Sequence, residues 1–247
     1  MAWTLRALMG LSFGLGSLLL AGCDSSSEGD TSSGGSTNTS TTSGGTAEGT
    51  VIPFENGWAP AGENDFFIQG SFYTFKDNPE DADSGGIVGT SLIMPDSFAD
   101  AGTQVCATGS AGQVIDKNFD DYWGAAIGFN LKQVEGEDAA LPFDATATTP
   151  PITGFSFTIA GGNPLPEGGE LRFNVKVAGD TNNYCAKISS AGNVSFRLTE
   201  LLQSCWMPEQ ITPDPTKLEA LHWQYVTKEA MTYDFDLCIT ELRALTD

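Results

Sequence analysis

The heptapeptide Leu171-Arg172-Phe173-Asn174-Val175-Lys176-Val177 restricts this chain more than any other stretch. Its apolar residues alternate with Arg, Asn and Lys, and a period of two sends the two sets to opposite faces of an extended strand. One face must meet a core while the other meets water. Similar alternation runs through Ile127, Phe129 and Leu131, through Phe155, Phe157 and Ile159, and through Leu221, Trp223 and Tyr225. Strands are therefore expected over 125–131, 152–160, 171–177 and 221–227, and composition adds 66–75, 105–109, 184–188, 194–198 and 232–242. The Gly- and Pro-rich stretch 161–169 turns the chain between two of them. After residue 22 no segment keeps an apolar stripe at helical spacing for three turns, although Asp214-Pro215 is placed to cap a short turn running to Ala220. These features predict an all-β fold, an antiparallel β-sandwich of two packed sheets.

Residues 51–247 supply that domain, and the preceding chain has a different composition. Residues 24–50 are rich in Ser, Thr and Gly and lack aromatics, large aliphatics and proline, so they cannot form a core. As a flexible coil the segment spans about 30 Å root-mean-square, the reach of a tether. Before it, Ala7 to Leu20 is apolar with only Arg6 charged, too short to cross a bilayer as a stable helix and suited to a signal peptide over 1–22. Leu20-Ala21-Gly22-Cys23 resembles the lipobox of bacterial lipoproteins. That resemblance implies a diacylglycerol thioether on Cys23, an amine acylated with a palmitate-type chain, and 23–50 as lipid-bearing tether. The chain is then held in the bacterial envelope. Asp24 after the acylated cysteine looks like an inner-membrane retention signal in some bacteria, but the long tether favours the outer membrane or cell surface.

Charge narrows the partners. The formal net charge is -21, and of the 11 basic residues only Arg6 lies in the leader, leaving ten against 32 acidic ones. Such a chain repels nucleic acid and anionic headgroups and suits neutral or cationic partners or divalent cations, without identifying any of them. Asp77, Asp81 and Asp83 sit in an acidic turn whose carboxylates are oxygen ligands of the kind calcium takes. The match to a calcium loop is poor, because the position of the closing bidentate Glu is Leu92, and a solvated turn is the favoured reading. Besides Cys23 there are four cysteines, none in C-x-x-C spacing, and one histidine. In an exported chain two disulfides fit better than a zinc site. Three pairings are open; Cys185–Cys205 with Cys106–Cys238 is favoured, the second joining an early strand to the last.

From residue 120 onward the order of motifs is distinctive. Gly154-Phe155-Ser156-Phe157 precedes Leu171-Arg172-Phe173-Asn174-Val175; Trp206 follows the next strand; Leu221-His222-Trp223-Gln224 precedes a closing strand with Asp234. This order resembles the galactose-binding-like β-jelly rolls, in particular family 11 carbohydrate-binding modules. The resemblance implies a jelly-roll sandwich with a shallow groove, where polar side chains meet sugar hydroxyls and an aromatic ring stacks on a sugar face. The positions that fit are Arg172, Asn174 and Lys176 with His222 and Gln224 on the polar faces of two strands, and Tyr73 or Trp123 as the stacking platform. Trp223 and Tyr225 share a face with Leu221 and are assigned to the core. The implied ligand is a neutral poly- or oligosaccharide, bound by a monomer.

Catalysis finds little support. His222 is the sole histidine and no G-x-S-x-G elbow presents a nucleophile. Asp234 and Asp236 share a strand face about 6.5–7 Å apart, within the separation of an inverting glycosidase, but no second feature supports that role. The reading is a non-catalytic, lipid-anchored sugar-binding sandwich, with a protein-binding or structural envelope lipoprotein as the alternative.

Overall fold

A computed structural model describes residues 48–77, 90–205 and 211–247. Cys23, the tether, Asp81, Asp83 and Trp206 lie outside the described residues. Thirteen strands are described: β1 (Thr50–Val51), β2 (Trp58–Ala59), β3 (Gly70–Lys76), β4 (Leu92–Met94), β5 (Val105–Ala111), β6 (Ala125–Asn130), β7 (Ile152–Asn163), β8 (Leu171–Val177), β9 (Tyr184–Ile188), β10 (Gly192–Arg197), β11 (Leu202–Gln203), β12 (Leu218–Tyr225) and β13 (Tyr233–Thr246). They form two antiparallel sheets packed as a sandwich. One sheet runs β10-β7-β13-β5-β4 with β1 added on β13; the other runs β11-β9-β8-β12-β6-β3-β2.

The alternating segments face inward as their periodicity requires. Phe173, Val175, Trp223, Tyr225, Ile127 and Phe129 from the seven-stranded sheet are buried, as are Phe155, Phe157, Ile159, Phe196 and Leu237 from the six-stranded one. Trp223 stands edge-on to Phe157 at 5.1 Å between centroids and 5.8 Å from Phe173, which stacks on Phe196 at 5.5 Å. Fully burying each such side chain contributes about 1.5–3 kcal/mol, so this aromatic layer ties the two sheets together.

Both favoured disulfides are present. Cys106–Cys238 bridges β5 and β13, and Cys185–Cys205 links β9 to the chain after β11.

Three expectations need correction. The segment 66–75 is not one strand, because the buried Asn64 side chain accepts from the Ile68 N–H and donates to the Ile68 carbonyl, closing a tight loop. Phe67 is thrown outward with a positive φ of 57°, and the strand starts only at Gly70, where a Cβ would lie 2.0 Å from the Asn130 carbonyl oxygen. The turn at Asp214-Pro215 ends early: the Asp214 carboxylate accepts from the Thr216 N–H, and β12 already begins at Leu218. The last strand runs past 242 to Thr246, because Glu241 at positive φ shifts the register against β7 and keeps Leu242 and Ala244 inward.

Candidate functional site

The outer face of the seven-stranded sheet is assembled by register. Arg172 on β8 pairs with Lys187 on one side and Gln224 on the other, and that row continues through Ala126 to Phe75. The next row is Cys185, Asn174, His222, Gly128 and Tyr73. Five of the positions singled out in the sequence thus fall in two adjacent rows of one face.

The small residues Ala126 and Gly128 on β6 leave room for side chains from the neighbouring strands. A Cβ on Gly128 would sit 2.3 Å from Cζ of Tyr73, so the tyrosine ring lies directly over that glycine. It thereby reaches across β6 to His222, with 3.0 Å between its Oη and Nε2. Phe75 meets the His222 ring edge-on at 4.6 Å, and Trp123 lies 5.3 Å from Phe75, which extends the aromatic surface toward the loop before β6. Gln224 fixes that loop: its amide donates to the Trp123 carbonyl at 3.0 Å and accepts from the Asn174 amide at 3.3 Å.

Burial keeps the His222 ring neutral, with nearby Lys176 adding to the effect; together they push it from 6.5 down to about 3. The unfolded chain protonates this ring near pH 6.5 and the folded chain only near 3. Its contribution to stability is therefore complete above pH 6.5 and falls as the pH drops from 6.5 toward 3. Two pH units inside that window correspond to at most about 3 kcal/mol. His222→Gln is expected to flatten the loss of melting temperature between pH 6.5 and 4.5 relative to the unmodified chain. Identical slopes for the two would show that His222 titrates normally.

Above Arg172 lies a second polar centre. Glu170 Oε1 accepts from Arg172 Nε at 2.6 Å, and its Oε2 lies 2.8 Å from Lys228 Nζ and 3.8 Å from Lys187 Nζ. Burial alone would raise the Glu170 carboxyl, but hydrogen bonds and charge from Lys228 and Arg172 outweigh it and hold the group at about 2. Beside these residues opens a cleft of about 730 Å³. Trp123 and Phe119 supply its aromatic surface; Arg172, Gln224, Asn183 and Lys228 supply donors; Asp120 and Glu229 supply acceptors. Rings beside mixed donors and acceptors suit a polyhydroxylated ligand, since an apolar sugar face stacks while its hydroxyls exchange hydrogen bonds.

Arg172, Gln224 and Trp123 line this cleft. Asn174, at 2 % exposure, lies under it as a support for Gln224, and Lys176 reaches the cleft residue Asn183 at 3.3 Å. Tyr73 and His222 are engaged with each other on the adjoining face. Glu170, Lys228, Asn183 and Phe119 were not singled out. Two of them were within reach of the same periodicity, since Glu170 precedes Arg172 by two and Lys228 follows the series His222, Gln224, Val226 by two.

Asp77, of the acidic turn, is fully buried; its carboxylate accepts from the Ser91 N–H and hydroxyl and from the Gly124 N–H, and burial raises its pKa. It pins the loop ahead of β6. Asp234 and Asp236 stand on β13 in the other sheet, away from the cleft. Among the described residues no three or more His, Cys, Asp or Glu are grouped to hold a metal ion.

No protein-family model matches the chain, and no curated protein does. Solved structures similar to it include the solution structure of CtCBM11, at 13% identity and a TM-score of 0.38 over 80% of this chain and 96% of that one. A second is a family 11 carbohydrate-binding module from Clostridium thermocellum in complex with a β-1,3-1,4-mixed-linked tetrasaccharide, at 11% identity and 0.34, covering 72% and 96%. A third is an agarase, at 10% identity and 0.39, covering 80% of this chain but 26% of the enzyme.

Proposed function

We propose that the chain is a non-catalytic sugar-binding protein whose cleft beside Trp123 and Arg172 takes an oligo- or polysaccharide. A second part of the proposal is that lipid on Cys23 holds it at the bacterial envelope, the outer membrane or cell surface in preference to the inner membrane. The observation that carries the first part is the cleft itself, with two aromatic rings beside donors and acceptors on the outer face of one sheet. The lipobox-like Leu20-Ala21-Gly22-Cys23 and the Ser-, Thr- and Gly-rich composition of 24–50 support the second.

One experiment tests both parts. Glycan-array binding and membrane partitioning are measured for cells carrying the unmodified chain, Cys23→Ser and Trp123→Ala. Cys23→Ser is expected to leave membranes while still binding sugar. Trp123→Ala should stay on membranes and bind about tenfold more weakly, a loss of about 1.4 kcal/mol. Partitioning unchanged by Cys23→Ser would remove the anchor, and an array without signal would remove the sugar. In that case the exposed pair Leu92 and Met94 on the edge strand β4 favours the second reading, a surface that docks protein.

A further inference from the structure

The charge balance around the cleft differs from that of the whole chain. Ten basic residues follow the leader, and four of them, Arg172, Lys176, Lys187 and Lys228, gather on the outer face and rim of the seven-stranded sheet. Three of these four share the single carboxylate of Glu170. A lone salt bridge would suffice to tie β8 to the chain after β12. With Lys176 on the next row, four cations stand against three carboxylates, Glu170, Asp120 and Glu229, a local excess of one positive charge.

The solvation of the two signs differs. The Arg172 and Lys228 side chains are only 16% and 31% exposed, so their field is weakly screened. The acidic cleft residues, Asp120 and Glu229, are exposed, where water and salt screen them. Glu170 reports how this place treats a carboxylate: it stays ionised despite burial because the surrounding cations favour its charged form. A neutral sugar would gain hydrogen bonds from these donors but nothing from their net charge, whose mutual repulsion costs stability. An anionic group would gain a charge-assisted hydrogen bond at each cation it met.

Resting on the sugar-binding proposal above, we infer that the ligand of this cleft is an acidic glycan, its carboxylate or sulfate seated between Arg172 and Lys228 while Trp123 stacks on a ring. The neutral sugar that the resemblance implies gives way to an acidic one on the strength of this local excess of positive charge.

The test uses the detergent-solubilised full chain and four polymers at one ionic strength: polygalacturonate, its methyl ester, dextran and dextran sulfate. At least one acidic polymer is expected to bind tenfold or more tightly than its neutral counterpart. A preference for polygalacturonate over its ester assigns a carboxylate; a preference for dextran sulfate over dextran assigns a sulfate. Lys228→Gln should lose about tenfold on the preferred polymer and so narrow its preference over the neutral counterpart, while Lys228→Arg restores it. If Lys228→Gln fails to fold, the comparison among the polymers on the unmodified chain decides. Equal or tighter binding of the neutral polymers overturns the acidic ligand and leaves the sugar site standing. Binding of none of the four, together with a silent glycan array, overturns both.

Discussion

Trp223→Ala is expected to cost about 3–5 kcal/mol, enough to bring a domain of ordinary stability close to unfolding. Trp223 is fully buried on β12, with the rings of Phe72, Phe157 and Phe173 around it, so truncation opens a cavity where the two sheets meet. Its indole Nε1 is buried without a hydrogen-bond partner among the described residues. Trp223→Phe deletes that unsatisfied donor along with part of the ring, and the first change offsets part of the second. It should cost only about 1–2 kcal/mol. Denaturant midpoints for the two variants measure the difference. A phenylalanine variant as unstable as the alanine one would show that the indole N–H is not a liability.

Trp223 and its neighbours also show why the core was legible and the site only partly so. Alternation in 171–177 and 221–227 assigns each side chain to a face from sequence alone, because the side-chain period of a strand is fixed at two. That rule placed Trp223 and Tyr225 inside and Arg172 and Gln224 outside, and both strands prove to be neighbours. Periodicity does not say which strand lies beyond. The contact between Tyr73 and His222 needs β6 between them and a glycine at 128 under the tyrosine ring, a long-range coincidence that no local pattern carries. Nor does it separate an outward residue that faces solvent from one covered by its neighbours. Asn174 alternates with Phe173 and Val175 as a surface residue would, yet Gln224 and the rest of the polar layer bury it. Glu170 and Lys228 escape the pattern for a different reason: they lie just past the strand ends, where the alternation still holds but the apolar half of the pattern has stopped.

Replacing both Cys106 and Cys238 with alanine is expected to lower stability by about 2–5 kcal/mol while leaving the proposed sugar binding unchanged. The two residues face each other across β5 and β13, with a sequence separation of 132. In the chain-entropy model a loop of that size approaches the upper end of the range, because the bridge acts chiefly by restricting the unfolded chain. The folded pairing does not depend on it, since β5 follows β13 in register from Tyr233 opposite Ala111 to Ile239 opposite Val105. The bridge lies in the six-stranded sheet, and the cleft belongs to the other. Cys185–Cys205 provides the contrast: its separation is 20, worth about 3 kcal/mol in the same model, but Cys185 pairs with Asn174 beneath the cleft. Removing that bridge should therefore weaken binding as well as stability. Melting temperature and sugar affinity measured on both double variants separate the two effects. Equal loss of affinity in both would mean that the cleft depends on the stability of the whole sandwich, not on the local support under Asn174 and Gln224.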